Sequence, residues 1–238
     1  MFRSRQKFGI SMMSQYANVT NPAIMKFMAA TFGWMFMGLL CTALSAYIVL
    51  SSSELTNMVV KSFTLVIILQ FAIVIILGFA FNKLSVTAAR GLFIFYSLLT
   101  GVTLSIFALI FTPYSIITAL IITAVIFGVM SLYGYTTKED LSKFRSLLMM
   151  GLIFIVVASL VNIFLHSPML YYVVSYLGVI VFTALIGYDV NRIKYMAIQS
   201  QYSDAVSLKK LAIFGALQLY LDFINLFIFL LQIFGRRN

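Results

Sequence analysis

Apolar residues fall in seven long stretches, roughly Phe27–Leu50, Ser62–Phe81, Gly91–Phe111, Ser115–Tyr135, Ser146–Leu165, Leu170–Tyr188 and Leu211–Phe234, with polar segments between them. About 20 apolar residues in a helix cross the hydrocarbon of a bilayer. Strands of a membrane barrel are about ten residues long and alternate polar with apolar. These stretches are about twice that length and do not alternate, so the pattern predicts an all-α membrane protein built as a seven-transmembrane-helix bundle. The seventh stretch differs from the rest. Gln218, Asp222, Asn225, Phe229 and Gln232 follow a spacing of three and four residues, which places them on one helix face. Amide and carboxyl groups facing lipid would be left without partners. The stripe must therefore face other helices, and the C-terminal helix is expected to be central.

Composition agrees with the pattern. The 238 residues are 63% hydrophobic and only 9% charged, against about 45–50% and about 25% in an ordinary soluble domain. A soluble enzyme, a disordered chain and a collagen-like fibre are excluded. With one cysteine (Cys41) and one histidine (His166), neither an intrachain disulfide nor a Cys/His zinc cage can form. The net charge of +10 would point to nucleic acid in a soluble protein. Here the basic residues sit between apolar stretches, where they set orientation, so nucleic acid is not expected as a partner. Thirteen of the 16 Lys and Arg residues fall on one side of the predicted bundle, and only Lys61, Arg236 and Arg237 on the other. The positive-inside rule then puts the N-terminus in the cytoplasm and the C-terminus outside. The first apolar run starts too late and is too long for a signal peptide. The expected division is a polar, basic cytoplasmic segment, residues 1–26, and a transmembrane domain, residues 27–238.

Candidate chemistry rests on the acids. Glu54, Glu139, Asp140 and Asp204 fall in predicted linkers, whereas Asp189 and Asp222 fall within or at the edge of apolar stretches. A charge at the centre of a membrane helix costs roughly 2.5–3.5 kcal/mol on insertion scales, so such residues default to a functional role. Asp222 is expected near mid-membrane. Asp189 is expected near the cytoplasmic end of the sixth helix, roughly 10 Å away in depth at about 1.5 Å per residue. If the two meet, they share one proton, because neighbouring carboxylates in a low dielectric resist being charged together. Protonated, such a pair is a hydrogen-bonded latch. Deprotonated, it repels itself or takes a hard cation that prefers oxygen ligands, such as calcium. The plainer alternative makes Asp189 an interfacial acid neutralised by Arg192 or Lys194, and Asp222 a protonated residue holding helices together. Elsewhere, Ser97, Gly101 and Ser105 form a small-residue face for close helix approach. Gln70 and Asn162 are expected to hydrogen-bond between helices, and Cys41 to serve packing. His166 is expected to be exposed in a tight outer turn.

The segment Ala216-Leu217-Gln218-Leu219-Tyr220-Leu221-Asp222-Phe223-Ile224-Asn225-Leu226-Phe227, followed by Leu230-Leu231 and Phe234-Gly235, closely resembles the C-terminal signature of the Bax inhibitor one (transmembrane Bax inhibitor motif) family. Gly187-Tyr188-Asp189-Val190-Asn191-Arg192-Ile193-Lys194 resembles that family's sixth-helix motif, and residues 99–104 and 138–142 are similar to weaker family blocks. The resemblance covers all but about the first 25 residues. It implies a seven-helix bundle in a bacterial inner membrane, with the last helix central. It also implies a paired-aspartate site, here Asp189 and Asp222, that binds the ion, senses pH and controls a calcium leak. Gln218 and Asn225 would support the pair. Some relatives end the second helix with an arginine cluster whose side chain engages the pair when closed. This chain has Phe81-Asn82-Lys83 there and Arg90 further on, so Lys83 or Arg90 substitutes, or the latch is absent.

The expected function is thus a pH-sensitive calcium leak channel, not an enzyme, with calcium as transported or regulatory ion and no tightly bound cofactor. Its expected partners are the lipid bilayer, calcium and protons. The alternative is a non-enzymatic regulator that binds a membrane protease or other membrane complex through residues 1–26. An intramembrane aspartyl protease is a third class, but Gly-x-Gly-Asp is expected there and Leu219-Tyr220-Leu221 precedes Asp222 here.

Overall fold

The structure, a computed structural model, describes residues 21–79, 84–199 and 205–236. The basic segment 1–20 and Lys83 lie outside the described residues. Among these there are seven long helices: α1 Pro22–Leu50, α2 Ser53–Phe79, α3 Val86–Ile110, α4 Pro113–Thr136, α5 Arg145–Leu165, α6 Pro168–Gln199 and α7 Ala205–Phe234. All seven are long and apolar enough to cross a membrane.

Several helices outrun the apolar stretches. α1 begins at Pro22 because the Asn21 side chain accepts the N–H of Ala23, and a proline fits the first helical turn. The described end of the predicted 1–26 segment, from Pro22 onward, is therefore helical. α2 begins at Ser53, nine residues before its apolar run, so Glu54 and Lys61 are helical. Glu54 lies in the first turn, where an acid suits the helix dipole. The largest extension is in α6, which continues ten residues past Asp189 to Gln199. The turns at Thr112-Pro113 and His166-Ser167-Pro168 are as tight as the sequence implies. His166 closes α5 in a left-handed conformation (φ 49°) and is exposed. Asn162 is not a bridge between helices. Its side-chain Oδ1 accepts the N–H of Ser167 at 3.0 Å, so it caps this turn.

The bundle is organised around α7. In its most apolar stretch 72% of the residues are buried, against 33% or fewer in each of the other six helices. Tyr220 of α7 is fully buried, and its hydroxyl meets the Thr42 hydroxyl of α1 at 2.6 Å. The Thr42 oxygen also lies 2.9 Å from the Ser97 carbonyl of α3. The Phe93 and Tyr96 rings of α3 pack edge-on against Tyr220, with centroids 5.6 and 6.0 Å away. One side chain thus ties three helices together. α2 is peripheral and joins α3 through Gln70, which donates to Thr100 at 3.2 Å and accepts from Thr103 at 2.8 Å.

Gly101 sits where α3 crosses α1. A Cβ there would collide with the Thr42 carbonyl and stand 2.8 Å from the Ser45 Cβ. Gly128 of α4 has nothing within 4 Å of such an atom. Gly101→Ala is expected to destabilise the protein by about 1–3 kcal/mol through overpacking. Gly128→Ala is expected to be neutral or slightly stabilising, as alanine is the better helix former. Thermal unfolding in detergent, followed by circular dichroism, checks both. Equal midpoints for the two variants would contradict the α1–α3 crossing.

Candidate functional site: two carboxyl groups inside the bundle

α6 and α7 run antiparallel and stay in register along most of their length. Near one end Ser175 of α6 donates to the Gln232 side chain of α7 at 2.8 Å. A little further along α6, Gly178 faces the Phe229 ring, and near the other end the Ile193 side chain faces Gly215. Between these contacts the carboxyl groups of Asp189 and Asp222 come within hydrogen-bonding reach of each other. They are 7% and 5% exposed. The sequence estimate of roughly 10 Å in depth is corrected by the length of α6. Asp189 is not at a helix end but about 15 Å inside it, counted at about 1.5 Å per residue.

What lets α6 continue is a set of buried polar groups that look like a flank in the sequence. Asn191 and Lys194 are each 2% exposed. The Lys194 ammonium donates to the carbonyls of Tyr135 and Thr137 at 2.9 and 2.8 Å. The Asn191 amide donates to the Gly134 carbonyl at 3.2 Å and accepts the Leu141 N–H at 3.4 Å. The last carbonyls of a helix have no partner within it, and a cation beside them suits its dipole. Asn191 and Lys194 thus form the C-terminal cap of α4. The backbones of α4 and α6 approach closely here, since a Cβ on Gly134 would collide with the Gly187 carbonyl. The sequence did carry a signal: α4 ends in Tyr135-Thr136-Thr137-Lys138 without the glycine or asparagine that commonly closes a helix. Lys194 is therefore not the counter-charge of Asp189. Arg192, one turn along α6, is close enough to act on Asp189 electrostatically.

The other candidate residues divide. Gln218 and Asn225 flank Asp222 by about one turn each on the same helix. Asn225 donates to the Leu221 carbonyl of its own helix at 2.8 Å. Among the described residues, the buried Gln218 Oε1 and Asp222 Oδ2 atoms have no hydrogen-bond partner. Arg90 is not among the groups acting on either carboxyl. Its guanidinium lies over the Trp34 ring, 5.1 Å from the centroid. Among the described residues no group of three or more His, Cys, Asp or Glu side chains gathers.

The polar line continues towards both ends, with one interruption. A cavity of about 470 Å³ opens beside Tyr188, Asn191 and Arg192 at the basic end of the bundle. A second, of about 680 Å³, lies at the opposite end and is lined by Gln232, Tyr171 and Asn162 among others. Between the carboxyl groups and Gln232 stand Phe182 and Phe229, both buried, with ring centroids 5.7 Å apart. The Phe229 ring fills the space that a Cβ on Gly178 would need, with ring atoms at 2.5–2.7 Å from it.

Removing the Lys194 donor is expected to loosen the α4–α6 junction. Lys194→Leu leaves two partly buried carbonyls without that partner, at a cost of up to about 1–3 kcal/mol for each group that water does not reach. Amide hydrogen exchange should accelerate at residues 134–141 while the Tyr220 region stays protected. Unchanged exchange at 134–141 would refute the cap.

A sequence model of the family described as "Inhibitor of apoptosis-promoting Bax1" matches residues 24–238. The chain is 46% identical over 215 residues to the inner membrane protein YbhL of Escherichia coli, covering 89% of this chain and 92% of that one. It is 44% identical over 217 residues to an uncharacterised protein of Borreliella burgdorferi, covering 90% and 93%. An uncharacterised protein of Rickettsia prowazekii is 37% identical over 215 residues, covering 90% of each.

Proposed function

The chain belongs to the Bax1 inhibitor family, and on that premise we propose that it is a pH-sensitive cation leak of the bacterial inner membrane, with calcium as its cargo, gated by Asp189 and Asp222. The observation that carries this is the contact of two buried carboxyl groups on membrane-crossing helices, beside two free acceptor atoms, Asp222 Oδ2 and Gln218 Oε1. Ionised carboxylates only accept hydrogen bonds, so a bond between two of them needs a proton on one. With that proton in place, α6 and α7 are latched at mid-length. When it leaves, two negative charges face each other in a low dielectric and repel, or they are neutralised by a divalent cation. Calcium takes six to eight oxygens. Two carboxyls and an amide oxygen supply only part of that shell, and water supplies the rest. Such a site is suited to passage rather than tight retention. No step of bond chemistry is called for, so the protein is not an enzyme in this proposal.

The Phe182–Phe229 contact is the second barrier on the line, an apolar constriction between the carboxyl groups and the far cavity. Hydrophobic constrictions close pores by excluding water. Opening then requires both loss of the shared proton and movement of α6 relative to α7. The distribution of basic residues supports a cytoplasmic N-terminus and an external C-terminus, with the Arg192 cavity on the cytoplasmic side.

The sign of the pH response follows. Lowering the pH adds the shared proton and closes the latch; raising it removes the proton and opens the path. Calcium flux into proteoliposomes is expected to rise from pH 6 to pH 8 by no more than about tenfold per pH unit, because one shared proton is titrated. Asp189→Asn and Asp222→Asn should each flatten this profile. A pH-dependent flux that survives in both variants would remove the pair from gating. Phe229→Ala is expected to raise the flux at pH 6 several-fold while leaving a residual pH response, as it widens the constriction and keeps the pair. A variant that folds as judged by circular dichroism yet leaks no more than wild type would remove the constriction from the mechanism.

A further inference from the structure

The cavity of about 470 Å³ at the basic end has a composition that the leak does not require. Its lining includes Arg145 from the start of α5 and Tyr188, Arg192 and Tyr195 from α6. We propose that this cavity is a binding site for the phosphate group of an acidic phospholipid.

Depth is the first argument. α5 has 21 residues, Arg145–Leu165, and so is about 31 Å long at about 1.5 Å per residue. That matches the roughly 30 Å of bilayer hydrocarbon. Arg145, at its first position, is therefore at the level of the lipid headgroups. Basic pockets between membrane helices on this side of a bilayer hold acidic headgroups.

Charge is the second. Among the described residues, neither arginine is in an ion pair; the pair there is Lys143 with Glu139, at 2.8 Å on the exposed surface. Two guanidinium groups, each able to grip a phosphate through paired N–H donors, thus line the cavity with no carboxylate in direct ion-pair contact among the described residues. One wall residue opposes them. Asp140 caps the turn before α5, where its Oδ1 accepts the Ser142 N–H at 2.9 Å. The hydrogen bonds from Ser142 hold that carboxyl below the usual carboxylate range, so it is charged at neutral pH. Its charge weakens the site without cancelling two arginines, and it supplies a test.

Surroundings are the third. Leu147 and Met150, within two turns of Arg145 on α5, are exposed apolar side chains. They offer acyl chains a surface beside the headgroup, which free phosphate would not use. Formation of the site requires neither the carboxyl contact nor an open path. Because Arg192 also acts on Asp189, a bound phosphate would share that guanidinium.

The test is native mass spectrometry of the full-length protein in neutral detergent, titrated with phosphatidylglycerol, phosphatidylcholine or inorganic phosphate. Phosphatidylglycerol is expected to be retained in preference to phosphatidylcholine. Arg145→Gln and Arg192→Gln should each weaken retention about fivefold, the effect of one basic residue at a membrane surface. Asp140→Asn, which still caps the turn, should strengthen it. Arg145→Gln alters an exposed side chain, so a folding defect does not confound that arm. Retention of phosphatidylglycerol in the Arg145→Gln, Arg192→Gln double variant at the wild-type level overturns the proposal. So does equal retention of phosphatidylcholine, or binding of inorganic phosphate as tight as that of the lipid.

Discussion

A polar group that crosses into hydrocarbon must find its partner inside the protein, and in this bundle that requirement falls mainly on two helices. α7 carries an amide, a carboxyl group and two further amides along one face. α6 carries a carboxyl group, an asparagine and a lysine within six residues. The helices can occupy a membrane only by facing each other and the interior. The burial of α7, the antiparallel register of α6 against it and the docking of α4 onto α6 all follow from that.

The same requirement sets the division of labour. α1, α3 and α7 are joined by Tyr220, Thr42 and the Phe93 and Tyr96 rings, a junction with its hydroxyls satisfied. Along α7, Gln218 Oε1 and Asp222 Oδ2 are buried without a hydrogen-bond partner among the described residues.

Much of this was legible in the sequence. Seven apolar stretches give seven helices, and the stripe from Gln218 to Gln232 marks α7 as interior, because spacing and the cost of polar groups in lipid are local properties. The ends of the helices were not legible. The run Asp189-Val190-Asn191-Arg192-Ile193-Lys194 has the composition of a water-exposed flank. It is interior because the carbonyls of Gly134, Tyr135 and Thr137 come to meet Asn191 and Lys194. That partnership spans more than fifty residues and no window of sequence contains it. Asn162 failed in the opposite direction: an amide that suggests a bridge between helices serves its own turn. Arg90 went to an aromatic face 5.1 Å away, a contact that charge counting does not anticipate.

The meeting of Asp189 and Asp222 also bears on how the protein enters the membrane. A newly made α7 inserted alone would carry a carboxyl group into lipid unaccompanied, at roughly 2.5–3.5 kcal/mol on translocon scales. α6 is synthesised first and already holds the matching group. The last two helices are therefore best delivered as a hairpin, with α6 retained beside the insertion machinery until α7 emerges.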